Sequence, residues 1–301
     1  MREQLEYVSL WLLLKVLGAL PRPVARAVGA AMMRGLLLLM VRRRRTALFN
    51  LRLAFPGWTE TQRRAALRGM ARHLGWMAAE FAQFPRWKRE TAGRRVVLDG
   101  QENFLAGRCR GKGVIFLTGH IGAWELSSFA HALYGFPLHY IARPVDNPRV
   151  DALINRYRRL SGNRPIFKNE SARVMLKVLR EAGTVGILAD QNTIPEEGVF
   201  VDFFGRQACM TTGIARLALH SGAAVVPVYC YWDAAARVYR LRFEAPLELV
   251  RDGDAARNVL ENTRRFAKAL EEIIRKHPDQ WIWVHARWKT RPQGEPPIYS
   301  F

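Results

Sequence analysis

The stretch "GVIFLTGHIGAWELSSF" (residues 113–129) joins an apolar run to a helical segment through a short polar connection. Residues 114–117 are all apolar, which predicts a buried strand that ends at Thr118 and Gly119. Residues 125–133 then predict a helix. A strand that leads directly into a helix is the repeating unit of α/β folds, so this stretch indicates the class of the whole chain.

The same alternation of strand and helix continues to the end of the chain. Predicted strands cover residues 114–117, 138–141, 185–189, 224–231, 237–243 and 281–284. Predicted helices cover residues 125–133, 149–160, 172–181, 212–220 and 255–276, and an amphipathic helix at 59–84 precedes them. We therefore expect an α/β fold with a mostly parallel central sheet that is flanked by helices.

His120 and Glu125 follow the first predicted strand and form the candidate catalytic pair. Sites in parallel sheets gather at the carboxyl ends of the strands, where these two residues lie. A carboxylate on one imidazole nitrogen fixes the tautomer and leaves the other nitrogen free to take a proton from a hydroxyl. No activated serine motif accompanies the pair, so the substrate would supply the nucleophile. The alternative is a purely structural contact.

Other polar residues lie at further strand ends and are candidate substrate-binding residues. Arg143 follows the strand at 138–141, and Asp190 and Gln191 follow the strand at 185–189. Thr211 begins a Thr-Thr-Gly helix start that can present backbone N–H groups to an anion, and Arg158 lies on the helix at 149–160. The alternatives are ordinary surface arginines and a turn or helix cap at residues 190–191.

The composition indicates an anionic partner. The 301 residues include 47 Lys and Arg against 26 Asp and Glu, a formal charge of +21. Such a charge attracts nucleic acid, an anionic membrane face, or a phosphorylated or acidic substrate. The three cysteines are scattered without a paired framework or the spacing of metal ligands, so we expect no metal site and a reducing compartment.

The first 45 residues predict membrane association. Two apolar segments, residues 5–20 and 24–41, are each interrupted by charged residues, and Pro-Arg-Pro separates them. Neither is a clean run of about 20 apolar residues, so we expect anchoring helices that are either shallow or tilted, with the arginines at 42–45 marking the cytoplasmic side. The alternative is a buried helical hairpin. We accordingly expect an anchoring region at 1–45 and a catalytic domain at 46–301.

The ordered motifs of this chain resemble a known family, the late acyltransferases of lipid A biosynthesis within the lysophospholipid acyltransferase superfamily. The motifs that carry the resemblance are H-x-x-x-x-E (120–125), IARPVDNPRVD (141–151), LADQN (188–192), VDFFG (201–205), TTGIARLA (211–218) and WIWVHARWKTRP (281–292). Their order matches the family throughout, and the resemblance runs from the N-terminal helices to about Pro292.

The resemblance implies a glycerolipid-acyltransferase-like fold and a specific O-acyl transfer. A fatty acyl group would pass from acyl carrier protein, or from another acyl thioester such as acyl-CoA, to a hydroxyl of a glycolipid, most simply a lipid A precursor. His120 would be the general base and Glu125 would orient it, while Arg143, Arg158 and Asp190 would hold the acceptor or brace the loop. The implied location is the cytoplasmic face of the inner membrane, with no cofactor beyond the acyl thioester.

Other functions share some of these features. Acyltransferases that act on phosphatidylinositol mannosides, aminolipids or lysophospholipids would present the same histidine and glutamate. A basic nucleic-acid-binding protein is the alternative from a different class. Against it, the sequence contains no recognisable nucleic-acid-binding module, and its arginines are spread over the whole chain rather than gathered in one stripe, so we expect no nucleic-acid partner.

Overall fold

The computed structural model describes residues 1–142, 144–167 and 171–300, and five α-helices in this part of the chain come before the first strand. The N-terminal helices are α1 (Arg2–Ala19), α2 (Arg22–Leu39), α3 (Val41–Ala54) and α4 (Glu60–Ala82), followed by the short α5 (Arg89–Ala92). The strands are β1 (Val96–Asp99), β2 (Val114–Thr118), β3 (His139–Ala142), β4 (Arg164–Phe167), β5 (Thr184–Leu188), β6 (Gly198–Phe203), β7 (Arg206–Thr211), β8 (Ala224–Asp233) and β9 (Val238–Phe243). The later helices are α6 (Gln101–Cys109), α7 (Trp124–Leu133), α8 (Pro148–Arg159), α9 (Ser171–Arg180), α10 (Gly213–Ser221) and α11 (Ala255–Lys276).

The main sheet has seven strands in the order β1-β9-β8-β2-β5-β3-β4. All neighbouring pairs run parallel except β8 and β9, which are antiparallel. The predicted α/β class with a mostly parallel, helix-flanked sheet is therefore confirmed. β1 and β4 were not predicted as strands; each is only four residues long and lies at an edge of the sheet.

Strand β2 lies in the middle of the sheet and faces a different hydrophobic core on each side. Ile115 and Leu117 pack into a core with side chains of α3, α4, α10 and α11. Val114 and Phe116 point the other way, into a core with side chains of α1, α6, α7 and α8. Side chains alternate along a strand, so a strand covered on both faces is apolar at every position. This is why residues 114–117 read as a continuous apolar run.

Strands β6 and β7, which were not predicted from the sequence, form a separate antiparallel hairpin. Phe203 pairs with Arg206, so only Phe204 and Gly205 form the loop. Both have positive φ, 57° and 73°, as the two-residue turns of twisted hairpins require. The Phe204 amide donates to Glu271 on α11, which ties the turn to the body of the protein.

The predicted last strand at residues 281–284 is wrong. Within the described chain only an isolated bridge joins Trp281 to Ile121, and the Trp283 carbonyl accepts a hydrogen bond from Asn50 of α3 instead. Trp281 and Trp283 are fully buried. A short apolar run does not by itself distinguish a strand from a buried irregular segment, and here tryptophan packing rather than sheet pairing orders the backbone.

The N-terminal helices pack directly on the rest of the chain. No single helix among the described residues passes as a membrane span; α2 together with α3, bent by 95° at the break between them, does so by length and composition. Helix α2 approaches α4 so closely that a Cβ at Gly29 would lie 2.4 Å from the Gly75 carbonyl oxygen. Two helices meet this closely only where side chains are absent from the contact.

Arginines of α2 face the protein interior at this contact. Arg22 and Arg26 both pair with Glu80 of α4, whose side chain is completely buried, at 2.8 and 2.7 Å. The Arg26 guanidinium also lies 4.4 Å from the ring centroid of Trp232, within the range of a cation–π contact. Arg26, which we expected to interrupt a membrane-facing segment, and Arg22 of the Pro-Arg-Pro break both fix α2 on α4.

Two alanine substitutions on α2 test the glycine contact. Gly29→Ala should lower the free energy of unfolding by about 1–3 kcal/mol, because the new methyl group overlaps the α4 backbone. Gly35→Ala is the matched control on the same helix; nothing lies within 4 Å of its added Cβ, so it should gain up to about 1 kcal/mol of helix propensity. Thermal unfolding of both variants gives the comparison. Equal effects would contradict the close contact.

Candidate active site

His120 lies two residues beyond the end of β2, in a connection that hydrogen bonds to β8 and to residues 280–282 hold in place. The His120 carbonyl accepts from the Ile282 amide at 3.2 Å, and the Gly122 and Ala123 amides donate to Gln280 and Cys230. Gly122 has a φ of +59°, and a Cβ there would lie 2.1 Å from the Cys230 carbonyl oxygen, so only glycine fits. The sequence Gly119-His120-Ile121-Gly122 therefore fixes the backbone that carries the imidazole.

Asp190 is the residue that orients the imidazole. Thr118 of β2 pairs with Leu188 of β5, so His120 and Asp190 each lie two residues past the ends of adjacent parallel strands. One Asp190 oxygen lies 2.9 Å from His120 Nδ1, and the other accepts from the His120 amide at 2.8 Å. The second oxygen also accepts from the indole N–H of Trp281 at 2.7 Å. Three donors thus hold a carboxylate that is only 1% exposed.

The charges of this pair support each other. Burial alone lowers the pKa of His120, but the charge and hydrogen bond of Asp190, aided by the charge of Glu125, outweigh it and raise that pKa above its usual value. Burial likewise favours protonation of Asp190, yet His120 and the hydrogen bond from Trp281 bring the pKa of the carboxyl below its usual range. Asp190 is therefore ionised at neutral pH, and His120 is a stronger base than a free imidazole.

The orientation of the ring leaves one nitrogen for chemistry. Since Nδ1 must carry hydrogen to donate to Asp190, Nε2 of the neutral imidazole is the proton acceptor. The His120 side chain is 21% exposed, and the Gln191 amide nitrogen lies 3.3 Å from Nε2. The arrangement is that of a general base with an orienting carboxylate behind it.

The orienting role that the sequence assigned to Glu125 belongs to Asp190 in the structure. Glu125, in the first turn of α7, forms a bidentate ion pair with Arg158 of α8, with Nε 2.9 Å from one carboxylate oxygen. Among the described residues no hydrogen bond joins Glu125 to His120. The physical reason is strand pairing: it brings a carboxylate from 70 residues further along the chain onto Nδ1, while α8 supplies a guanidinium to Glu125.

The other predicted site residues divide into three groups. Arg158 lies with Glu125 in a cavity that also reaches His120, and Gln191 and Thr211 lie in a second cavity that reaches His120 from elsewhere. Asp190 is buried behind the histidine and does not line either cavity. Arg143 lies outside the described residues. The first two backbone amides after Thr211, which we expected to face an anion, donate within the protein instead. The amide of residue 212 donates to the Glu197 carbonyl, and that of residue 213 donates to the Thr211 hydroxyl.

Two cavities meet at His120, one on each face of the sheet. The α7 cavity has a volume of about 210 Å³ and extends between α7 and the sheet; its lining includes Phe116, Glu125, Ser128, Leu138, Arg158 and Val228. The α9 cavity has a volume of about 740 Å³; its lining includes Ala172, Met175, Leu176, Ile187, Thr211 and Leu217. His120, Ile141 and Leu188 line both. Two largely apolar compartments thus reach one basic nitrogen.

Sequence reasoning missed the contributions of the closing segment at residues 281–292. The indole N–H of Trp281 donates to the Asp190 carboxylate at 2.7 Å. His285 Nε2 accepts the Asn192 amide at 3.0 Å, and so holds the backbone two residues beyond Asp190. The sequence shows a motif rich in tryptophan and histidine at residues 281–292. The residues that this motif contacts, Asp190 and Asn192, lie about 90 positions earlier and become adjacent only through folding.

Comparison with known proteins identifies related chains. The family model of bacterial lipid A biosynthesis acyltransferases matches residues 2–290. The lipid A biosynthesis lauroyltransferase of Escherichia coli (strain K12) is 30% identical over 292 residues, which is 96% of this chain and 92% of that protein. The lipid A biosynthesis myristoyltransferase of the same strain is 28% identical over 254 residues, 84% of this chain and 77% of the relative. A lipid A biosynthesis acyltransferase of Haemophilus influenzae is 24% identical over 254 residues, which is 84% of this chain and 78% of that protein.

The contact between His120 and Asp190 predicts a shift that NMR can measure. Asp190→Asn removes the negative charge but keeps the size of the side chain, so the pKa of His120 should fall, since burial then acts without the compensating carboxylate. Titration of histidine-labelled protein gives the value, and the His120→Gln spectrum assigns the resonance among the seven histidines. Glu125→Gln should lower the same pKa less. An unchanged pKa in Asp190→Asn would contradict the pairing.

Proposed function

Because this chain belongs to the bacterial lipid A biosynthesis acyltransferase family, we propose that His120 catalyses the transfer of a fatty acyl group from a thioester to a hydroxyl of a lipid A precursor. The observation that carries the proposal is the imidazole of His120, which a buried carboxylate holds through Nδ1 so that Nε2 is the proton acceptor, at the junction of two cavities. Transfer between two lipid-bearing substrates needs one base that both can approach.

The proposed reaction is direct and needs no acyl-enzyme. Nε2 of His120 takes the proton of the acceptor hydroxyl as that oxygen attacks the thioester carbonyl carbon. The tetrahedral intermediate collapses with cleavage of the carbon–sulfur bond, and the imidazolium returns the proton to the departing thiolate. An ester and a free thiol result. Asp190 stabilises the imidazolium while it exists, and general-base assistance of this kind contributes about 10²–10⁴-fold in rate.

Arg158 is the cation that we assign to substrate binding in the α7 cavity. Glu125 occupies Nε and one terminal nitrogen of the guanidinium, and among the described residues no acceptor contacts Nη1. Glu125 therefore positions Arg158, and the remaining N–H groups face a cavity shared with His120. An anionic or hydroxyl-rich part of the acceptor would be held there, close to the base.

The acyl donor that fits the charge of the protein is acyl carrier protein. Acyl carrier proteins are acidic, and a chain with a formal charge of +21 would attract one over long range. The transfer rate with this donor should therefore fall as salt rises. Acyl-CoA is the smaller alternative donor, and no cofactor beyond the thioester enters the proposed reaction.

Membrane association is part of the proposal. Large apolar side chains remain exposed along α1 and α2 even though both helices pack on the protein; they include Leu5, Trp11, Leu12, Val16, Met32, Leu36, Leu38 and Leu39. An apolar surface of this kind suits the interfacial region of a bilayer. The arginines at 42–45 follow directly, as expected for the cytoplasmic face of the inner membrane.

The alternative acceptors remain phosphatidylinositol mannosides, lysophospholipids and aminolipids, since the same base serves any of these hydroxyls. Each of these lipids, and a lipid A precursor, would be incubated with the protein and with acyl carrier protein that carries a labelled acyl group. The lipid that gains the label identifies the acceptor. The family match favours a lipid A precursor over these acceptors, and acyl transfer over the nucleic-acid-binding alternative.

Substitutions at His120 and Glu125 test the mechanism. His120→Ala should lower kcat for acyl transfer by about 10²–10⁴-fold, because the general base is gone. Glu125→Gln should act mainly on the KM of the acceptor, because it loosens Arg158 but leaves the Asp190 contact intact. Steady-state kinetics with acyl carrier protein as donor distinguish the two effects.

The matched control is Ser127→Ala, which removes a hydroxyl from the lining of the same cavity without touching either ion pair. It should leave both kinetic constants nearly unchanged. If Glu125→Gln reduced kcat as strongly as His120→Ala, Glu125 would act on the base directly, as the sequence alone suggested. Near-normal transfer by His120→Ala would refute the mechanism.

A further inference from the structure

A third cavity, lined by cationic side chains, lies next to the segment that carries Asp190. This basic cavity has a volume of about 660 Å³ and lies between the start of α3 and the closing segment of the chain. Arg42, Arg43 and Lys289 line it, and none of the described residues that line it is acidic. It shares no lining residue with the α7 or α9 cavities, so the mechanism above leaves it unused.

Hydrogen bonds hold the wall between the basic cavity and the active site in place. Asn192 lines the cavity and stands two residues beyond Asp190, a separation of at most about 7 Å. Its amide donates to His285 Nε2 at 3.0 Å, and its side chain both donates to and accepts from Thr290 at 2.9 and 3.0 Å. A group bound in the basic cavity would thus lie at a fixed position relative to His120.

The cations of this cavity have no acidic partner in the part of the chain that the structure describes. Arg22, Arg26 and Arg158 all pair with carboxylates, but among the described residues no carboxylate contacts Arg42, Arg43 or Lys289. Arg42 and Arg43 also lie in the first turn of α3, which contains no acidic residue. The helix dipole disfavours cations at that end, so folding alone gives no reason to place them there.

The neutral groups of the cavity also suit an anion. Burial, together with the nearby charges of Arg287 and Arg43, lowers the pKa of His285 to about 4, so this ring is neutral at pH 7. With Nε2 accepting from Asn192, its hydrogen is on Nδ1. The cavity therefore combines two guanidinium groups, one ammonium group and a neutral imidazole, and the described residues of its lining supply no negative charge to balance them.

We propose that the basic cavity binds a phosphate group of one of the two substrates and thereby sets which atom of that substrate reaches His120. Guanidinium groups bind phosphate oxygens in bidentate fashion, and a lysine adds a point charge. The inference rests on the proposed function. The phosphate has two possible sources, the sugar phosphates of the glycolipid acceptor and the phosphodiester arm of the thioester donor.

The experiment compares Arg43→Ala and Lys289→Ala with Arg45→Ala, a matched control. Arg45 belongs to the same run of arginines and loses the same charge, but it does not line the cavity. Transfer is measured with phosphorylated and dephosphorylated glycolipid acceptors, and with either acyl carrier protein or an N-acetylcysteamine thioester, which lacks phosphate, as donor. The KM of the substrate that supplies the phosphate should rise roughly tenfold or more in the cavity variants only.

The arms of this experiment identify the source. If the acceptor supplies the phosphate, the cavity variants and the wild type should have the same KM for the dephosphorylated acceptor. If the donor supplies it, they should behave alike with the N-acetylcysteamine thioester. Equal effects of Arg43→Ala and Arg45→Ala would overturn the proposal, and equal losses of binding to anionic vesicles would assign both arginines to general attraction by the leaflet.

A binding measurement separates this site from the proposed reaction. Inorganic pyrophosphate should raise the thermal unfolding temperature of the wild type and of Arg45→Ala, but not that of the double variant Arg43→Ala/Lys289→Ala. That result would support the phosphate site even if the protein acylated none of the lipids tested, in which case only the proposed function would fail. Equal stabilisation of the double variant would overturn the site.

Discussion

The hydrogen bond between His120 and Asp190 is the contact on which the account of this protein depends. It exists because β2 and β5 pair in parallel, with Thr118 opposite Leu188, so that both strands deliver a side chain to the same edge two residues later. Gly119 lets the two approach, since a Cβ there would lie 2.9 Å from the Asp190 carboxyl carbon. Trp281 completes the set by donating to the same carboxylate. Backbone register, glycine and tryptophan together make an ordinary histidine into an oriented base.

The positive charge of the chain serves several distinct purposes rather than one. Arg26 is buried with Glu80 and aromatic rings and fixes an N-terminal helix, while Arg158 is positioned by Glu125 beside the base. Arg42 and Arg43 line a cavity whose described lining contains no acidic residue. Composition alone predicts only an anionic partner. Which arginine stabilises the fold and which is available to a substrate follows from the partners that folding brings to each.

Much of the fold follows from the sequence, because apolar runs and helical spacing are local. The strand at 114–117, the helix at 255–276 and the parallel character of the sheet were predictable in this way. The position of His120 at a strand end was equally readable. The partner of His120 was not: Glu125 is near in sequence, whereas Asp190 is near in space, and strand order decides between them. The prediction of a strand at 281–284 was wrong for a related reason, since the tryptophans of this segment pack in the core instead of pairing in the sheet.

The most direct test of this account is the pH dependence of kcat/KM for acyl transfer in the wild type and in Asp190→Asn. The carboxylate raises the pKa of His120, and the base must be unprotonated to act. Loss of the carboxylate should therefore move the acidic limb of the profile to lower pH and lower the plateau. An acidic limb at the same pH in both proteins, with an unchanged plateau, would show that Asp190 does not govern the base.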